Sequence, residues 1–354
     1  MNHDPVGRAG RRMGTVAISR KSAAALWRAA PAAGGTAPGL NLKRLVVRLL
    51  SFRLPLLIIP VFTLAACDVR PEIPKQERLV YVHDSLYNHI VVSEDDEARY
   101  LRFGYGAKQS AMTLGNPIAL RVPYTAYLAL GMAFTNPERA LMIGLAGGSV
   151  ARLVRSVRPE VALDVVELDP DVVRVAERYF GVDADGSLRI HVDDGRMFVK
   201  RTTDRYDWVV LDAFHADSMP HHMATAEFFD EVKRILTPRG VVTMNVAPLG
   251  PGVLYLSIIR TLVRVFPQVY LFQVPERSNI VAVATLDGAR LNGDQIVRSI
   301  RELKTRTGDT LELLIPATPY GERKPVVRGV PELTDDYAPV DWLRYWRGSA
   351  AGIR

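Results

Sequence analysis

The sequence predicts an α/β protein: a mostly parallel, seven-stranded, doubly wound sheet preceded by a small β-rich domain. Three observations predict it. From Leu141 to Met244 short apolar runs alternate with amphipathic stretches, a rhythm that implies parallel strands covered by helices on both faces. Two later runs, 269–273 and 280–285, lie too close together for a crossover helix and must pair antiparallel. Before all of these, between Leu79 and Arg121, β-branched and aromatic runs are separated by Asp, Asn and Gly, the pattern of hairpins.

The chain divides into a leader (1–67), a tether (68–76), the small β-rich domain (77–121), the sheet domain (122–287) and a C-terminal helix/strand extension (288–354). In the β-rich domain the strands are 79–82, 89–92 and 100–103. In the sheet domain, 141–143 is a strand leading into a helix that puts Val150, Leu153, Val154 and Val157 on one face. Residues 162–166 form the next strand and 172–179 the next helix, followed by strands at 188–192, 208–211 and 241–244. A helix at 228–236 precedes Pro238-Arg239-Gly240. The antiparallel pair that closes the series favours the methyltransferase-like variant of the doubly wound sheet over the dinucleotide-binding one. The extension holds a helix at 293–304, a strand near 311–315 and the segment Leu333-Thr334-Asp335-Asp336-Tyr337-Ala338-Pro339. There is no internal repeat.

The net charge of +7 belongs to the leader: the first 66 residues carry ten Lys/Arg against Asp4, which leaves the remainder at −2. The body has no basic tract of the kind that neutralises phosphates, so nucleic acid is not an expected partner. The single cysteine, Cys67, excludes an intramolecular disulfide and a multi-Cys metal site. Lys43, Arg44, Arg48 and Arg53 precede the apolar run 54–64, and Leu64-Ala65-Ala66-Cys67 closes it. That is a positive region, a short apolar region and a small-residue cleavage site. Its ending resembles the lipobox of bacterial lipoproteins, which implies lipidation of Cys67 and a membrane-anchored, periplasm-facing protein. Two other readings share the pattern: an uncleaved anchor helix over 45–66, and a misassigned start on a cytoplasmic protein.

Four strand ends carry the residues that point to chemistry. Gly144-Leu145-Ala146-Gly147-Gly148-Ser149 lies between a strand and a helix, where small residues let backbone approach a ligand. A tight turn packed for its own sake would look the same. Glu167 ends the next strand, where an acid can accept both ribose hydroxyls of a nucleoside. Asp169 and Asp171 fit a helix cap and first-turn acid. Asp194 ends the third strand and suits either an adenine amino group or the cap of the following helix. Asp212 ends the fourth, ahead of a polar loop with His215, Asp217, His221 and His222. Ligands of open α/β sheets sit beyond the carboxyl ends of strands, so these ends describe one pocket. Two of the histidines are adjacent and point poorly at one ion, and no metal site is expected. The Gly-x-Gly-x-x-Gly of nicotinamide oxidoreductases is broken by Ala146 and Ser149.

With these residues placed, 140–247 resembles the spermidine/spermine synthase (polyamine aminopropyltransferase) family. The shared features are the Gly-rich turn, Val-Glu-Leu-Asp-Pro at the second strand, Asp-Gly after the third and Asp after the fourth. Tyr206-Asp207, the helix start at Thr225, Pro238-Arg239-Gly240 and Leu333 to Pro339 extend it. Upstream, Gln109-Ser110-Ala111-Met112 and Tyr124-Thr125 are similar to the family's small N-terminal domain. The resemblance implies a Rossmann-like S-adenosylmethionine-dependent methyltransferase fold that transfers an aminopropyl group to a polyamine such as putrescine. The donor, decarboxylated S-adenosylmethionine, would be a co-substrate rather than a permanently bound cofactor. Gln109, Gly144, Gly147, Gly148, Glu167 and Asp194 would hold the donor, Glu167 on ribose and Asp194 on adenine. Tyr124 and Asp217 would face the acceptor, and Asp212 would orient or deprotonate the attacking amine. An oligomer through the β-rich domain is a further expectation. The sequence departs from the family at Gly147, where an aspartate usually contacts the aminopropyl nitrogen, and at His215, where a second loop acid usually stands. An S-adenosylmethionine methyltransferase and a non-catalytic nucleoside- or polyamine-binding lipoprotein are the alternatives.

Overall fold

A computed structural model of the protein describes residues 74, 76–104, 106, 108–213, 220–246, 252–275, 279–289, 291–307 and 327–345. Several expectations lie outside them: the leader with Cys67, the loop residues His215 and Asp217, and the strand at 311–315.

The chain first lays down β1 (Arg78–Asp84), β2 (His89–Glu94), β3 (Ala98–Phe103) and β4 (Lys108–Thr113) as an antiparallel meander paired in sequence order. Short polar side chains make its turns. The Ser85 hydroxyl accepts from the backbone of Tyr87 and Asn88, and Asp95 accepts from Glu97 and Ala98, so local hydrogen bonds replace ladder bonds where the chain reverses. The β-rich domain thus has one strand more than its β-branched runs predict. The chain then turns helical, in α1 (Pro123–Leu128), which opens on a proline at its first turn, and α2 (Gly131–Phe134). Tyr124-Thr125 sits on α1, packed against the larger sheet and within the 122–287 segment, although its resemblance is to the family's small N-terminal domain.

Next come β5 (Arg139–Ile143), α3 (Ser149–Val157), β6 (Ala162–Glu167), α4 (Pro170–Phe180), β7 (Leu188–Val192), α5 (Gly195–Arg201) and β8 (Tyr206–Leu211). After a 3-10 turn at His221–Met223 follow α6 (Ala226–Ile235), β9 (Leu236–Val246), α7 (Leu254–Val265), β10 (Gln268–Gln273) and β11 (Ile280–Thr285). Two more helices, α8 (Gly293–Thr307) and α9 (Val340–Tyr345), complete the described chain. The expected break at Pro238-Arg239-Gly240 falls inside β9, at its irregular start, where pairing with β8 shifts register.

The large sheet has the order β10-β11-β9-β8-β5-β6-β7. All neighbours are parallel except β11, which inserts between β9 and β10 and is antiparallel to both. This is the seven-stranded, methyltransferase-like sheet that the spacing of 269–285 predicts. Because side chains alternate along a strand, Leu141 and Ile143 enter a core shared with α6 and α7, while Ala140 and Met142 enter another shared with α1, α3 and α8. Burial on both faces accounts for the unbroken apolar runs of these strands. A third, smaller cluster joins Ile90, Val92, Leu101 and Met112 of the meander to Val172, Val175 and Phe180 of α4. That contact places the meander over the carboxyl ends of the parallel strands.

Candidate active site

β5 lies between β6 and β8, so chain order departs in opposite directions on its two sides and a crevice opens above its end. A cavity of about 980 Å³ occupies that crevice, with the strand ends as its floor and the meander as its roof. Gly144, Glu167, Asp194 and Asp212 all line it, as do Gln109 of β4 and Tyr124 of α1. The four strand ends that pointed to chemistry are therefore brought to one place. Asp217 is outside the described residues.

Gly144 has φ +95°, and a Cβ there would stand 2.5 Å from the carbonyl oxygen of Asp212. A side chain would force the ends of β5 and β8 apart, which are stitched by the Asp212 N–H donating to the Ile143 carbonyl at 3.0 Å. Gly147 and Gly148 sit elsewhere than expected. They do not line the cavity: the open side of Gly147 faces Ser110 and Phe180, and that of Gly148 faces Val182. Both glycines serve close packing, Gly147 against the underside of the meander.

Glu167 holds the Gly-rich turn from the neighbouring strand. Its Oε2 accepts from the backbone of Leu145 at 2.8 Å and of Ala146 at 3.4 Å, and its Oε1 from Asp169 at 3.1 Å. Ala146 takes a left-handed conformation, φ +47°, to present that N–H. Enclosure by protein raises the Glu167 pKa, against the pull of these three donors. With Oε2 accepting twice and Oε1 once, the acceptor capacity left for a ribose hydroxyl is on Oε1.

Asp194 does two things at once. It caps α5, accepting from Met197 N–H at 2.9 Å, and its other oxygen faces His222 Nε2 at 3.2 Å on the cavity wall. Asp169 caps α4 and also accepts from Ser85 at 2.5 Å and Asn88 at 2.9 Å, so a helix cap anchors the β1–β2 turn above the cavity.

The environment of Asp212 changes its chemistry. Its Oδ2 accepts from the Tyr124 hydroxyl at 3.2 Å and its Oδ1 from Asn245 Nδ2 at 3.1 Å. Asn245 in turn accepts from Asn279 Nδ2 at 3.0 Å. Although it touches the open space of the cavity, protein surrounds Asp212 closely enough that desolvation pushes its pKa up to about 7, while the two hydrogen bonds pull the other way. Desolvation and the adjacent Asp212 carboxylate raise the Tyr124 phenol well above its ordinary value, so it stays a donor. A carboxylate poised near neutrality can take a proton from a bound ammonium and leave the amine lone pair free.

The sequence did not single out Asn245 or Asn279. Asn245 carries a weaker form of the same signal, an amide near the end of a largely apolar strand, Val241-Val242-Thr243-Met244-Asn245-Val246. Arg196 also escaped notice. It donates to the His222 carbonyl at 2.9 Å while pairing with Glu231 and Asp335, and so fixes the cavity wall that carries His222. Among the described residues no group of three or more His, Cys, Asp or Glu could hold a metal ion, and no helix is long and apolar enough to cross a membrane.

Known proteins resemble this chain in the same region. The spermine/spermidine synthase domain matches residues 126–288. A polyamine aminopropyltransferase of Vibrio vulnificus is 34% identical over 229 residues, spanning 62% of this chain and 76% of that protein. One from Chromobacterium violaceum is 31% identical over 159 residues, 44% of this chain and 60% of that protein. A probable spermidine synthase from Corynebacterium glutamicum has the same fold, with a TM-score of 0.56 at 23% identity over 64% of this chain and 88% of its own. The sheet order, the strand-end acids and these relatives together mean that the chain belongs to the spermine/spermidine synthase family.

Proposed function

We propose that the protein transfers the aminopropyl group of decarboxylated S-adenosylmethionine to a polyamine acceptor such as putrescine. The observation that carries this reading is Asp212: a carboxylate with a pKa near 7, between Tyr124 and Asn245, at the end of a cavity whose other strand ends suit an adenosine. Glu167 would accept from a ribose hydroxyl and Asp194 from the adenine amino group. The acceptor arrives as an ammonium without a lone pair. Asp212 takes one proton, the amine nitrogen bonds to the propyl carbon next to sulfur, and the carbon–sulfur bond breaks with its electron pair going to sulfur. The sulfonium becomes the neutral thioether methylthioadenosine, and the new secondary amine carries the displaced positive charge. The donor brings its own leaving group, so the protein contributes positioning and one proton acceptor.

Incubation with decarboxylated S-adenosylmethionine and putrescine should release methylthioadenosine. The active form of Asp212 is the ionised one, so kcat/KM should fall about tenfold per pH unit below an apparent pKa near 7. Asp212→Asn should lower kcat/KM by about 10²–10⁴, the range for loss of a general base. Release no faster than in Asp212→Asn at any pH from 6 to 9 would sink the reading.

We further propose, from the leader alone, that lipid on Cys67 holds the protein at a membrane. The support is the order of basic residues, apolar run and Leu64-Ala65-Ala66-Cys67. Cys67→Ser should move the protein from the membrane to the soluble fraction; retention would instead favour an uncleaved anchor.

A further inference from the structure

Asp212 has two neutral donors, and they are not equally secure. The Tyr124 hydroxyl can only donate to a carboxylate. The Asn245 amide can present either end: its Nδ2 stabilises the ionised carboxylate, its Oδ1 repels it. Something must decide which end points inward. Asn279, at the threshold of β11, donates from Nδ2 to the Asn245 Oδ1 at 3.0 Å, and Asn245 then donates to Asp212 Oδ1 at 3.1 Å. The three residues come from β8, β9 and the β10–β11 hairpin, neighbours across the sheet. Register fixes the pairing: Ile280 lies opposite Val246, so Asn279 is carried to the end of β9 by the antiparallel insertion. Asn279 is itself anchored, its carbonyl accepting from Val274 N–H at 2.9 Å.

We propose that Asn279 is a positioning residue for the carboxylate of Asp212, acting through Asn245: by occupying the Asn245 carbonyl it turns the amide so that its N–H₂ end faces Asp212. This rests on Asp212 as the reacting acid, but the orientation is a property of the resting protein. Other titratable groups around the cavity are Tyr124 from α1, Glu167 from β6, Asp193 and Asp194 beyond β7, His221 and His222 from the 3-10 turn, Tyr87, Tyr100 and Lys108 on the roof, and Arg121 ahead of α1. Tyr124 is the one in hydrogen-bond contact with Asp212.

The polarity of the relay makes a prediction that packing alone does not. In Asn279→Asp the donor becomes an acceptor of nearly the same shape. The ionised carboxylate so introduced should draw the Asn245 N–H₂ toward itself and turn the Asn245 carbonyl onto Asp212. The isosteric change should therefore be worse than Asn279→Ala, which only frees the amide. The test is the titration of the Asp212 carboxyl by carbon-13 NMR, its resonance identified by its loss in Asp212→Asn. The apparent pKa should rise in Asn279→Ala by about half a unit and in Asn279→Asp by at least one, with Asn279→Gln closer to wild type than either. Where transfer is measured, the acid limb of kcat/KM should move by the same amounts. Unchanged Asp212 titration in Asn279→Asp, with the fold intact by circular dichroism, would overturn the proposal. An NMR shift without any methylthioadenosine release would support the relay while removing the transfer reading, so the two fail separately.

Discussion

A carboxylate at position 147 could not reach the cavity from where this chain holds its backbone. The Cβ of any side chain there would lie 2.6 Å from Ser110 Oγ, 2.8 Å from Ser110 Cβ and 3.2 Å from a ring carbon of Phe180. Ser110 cannot step aside cheaply, because it is buried and its hydroxyl is 3.1 Å from that of Ser149. The glycine that replaces the family's aspartate is therefore coupled to a close approach of β4 to the Gly-rich turn. Gly147→Asp should not restore an amine contact. It should overpack the junction and cost about 1–3 kcal/mol, read as a lower Tm, with no gain in kcat/KM for putrescine. Combining it with Ser110→Gly, which removes both clashing atoms, should recover most of the lost Tm. A single Gly147→Asp variant of unchanged Tm and higher turnover would show that the turn can swing toward the cavity.

Elements whose cause is local could be read directly. Asp169, Asp194 and Thr225 each precede a helix and each accepts a backbone N–H of its first turn, which short polar residues after a strand foretell. The strand at 280–285 is legible because a strand buried on both faces is apolar almost throughout. β4 is less so: Lys108-Gln109-Ser110-Ala111-Met112-Thr113 has one β-branched residue, and it is a strand because β3 offers it a ladder. Tyr124 lines the cavity from α1, a helix that was hard to read because Pro123 looks like a breaker unless the helix is known to start there. The floor of the site was legible because strand ends announce themselves by a polar residue after an apolar run. The remainder was not, because it depends on distant pairings. Arg196 lies 139 positions from Asp335, whose carboxylate it grips with both ends of its guanidinium. Those bonds pull the Asp335 pKa down to about 2, yet nothing in either local sequence announces the partner. Asn279 and Asn245 are likewise joined only by the insertion of β11 between β10 and β9.

The whole molecule encloses its site by folding one sheet over another, and α4 is the element that joins them. One side of α4 packs Val173 and Ala176 onto the parallel sheet, and the other gives Val172, Val175 and Phe180 to the meander. Polar ties reinforce the seam: Arg99 of β3 donates to the Tyr179 carbonyl at 2.6 Å, and Asp169 receives Ser85 and Asn88. The roof supplies Gln109, Tyr100 and Lys108 to the cavity, while Asp212 and its partners Tyr124, Asn245 and Asn279 lie below it. Loosening the seam should therefore weaken enclosure of the donor more than it disturbs the proton acceptor. Phe180 is the residue to test, being fully buried at that seam and next to the Gly147 turn. Phe180→Ala should cost about 3–5 kcal/mol in denaturant unfolding, the range for deleting a buried aromatic ring. At a temperature where the variant is folded, KM for the adenosyl donor should rise several-fold, with kcat and the acid limb near pH 7 changed much less. A fall in kcat at constant KM would mean instead that the roof acts on the reacting atoms, and the division of labour between the two sheets would have to be redrawn.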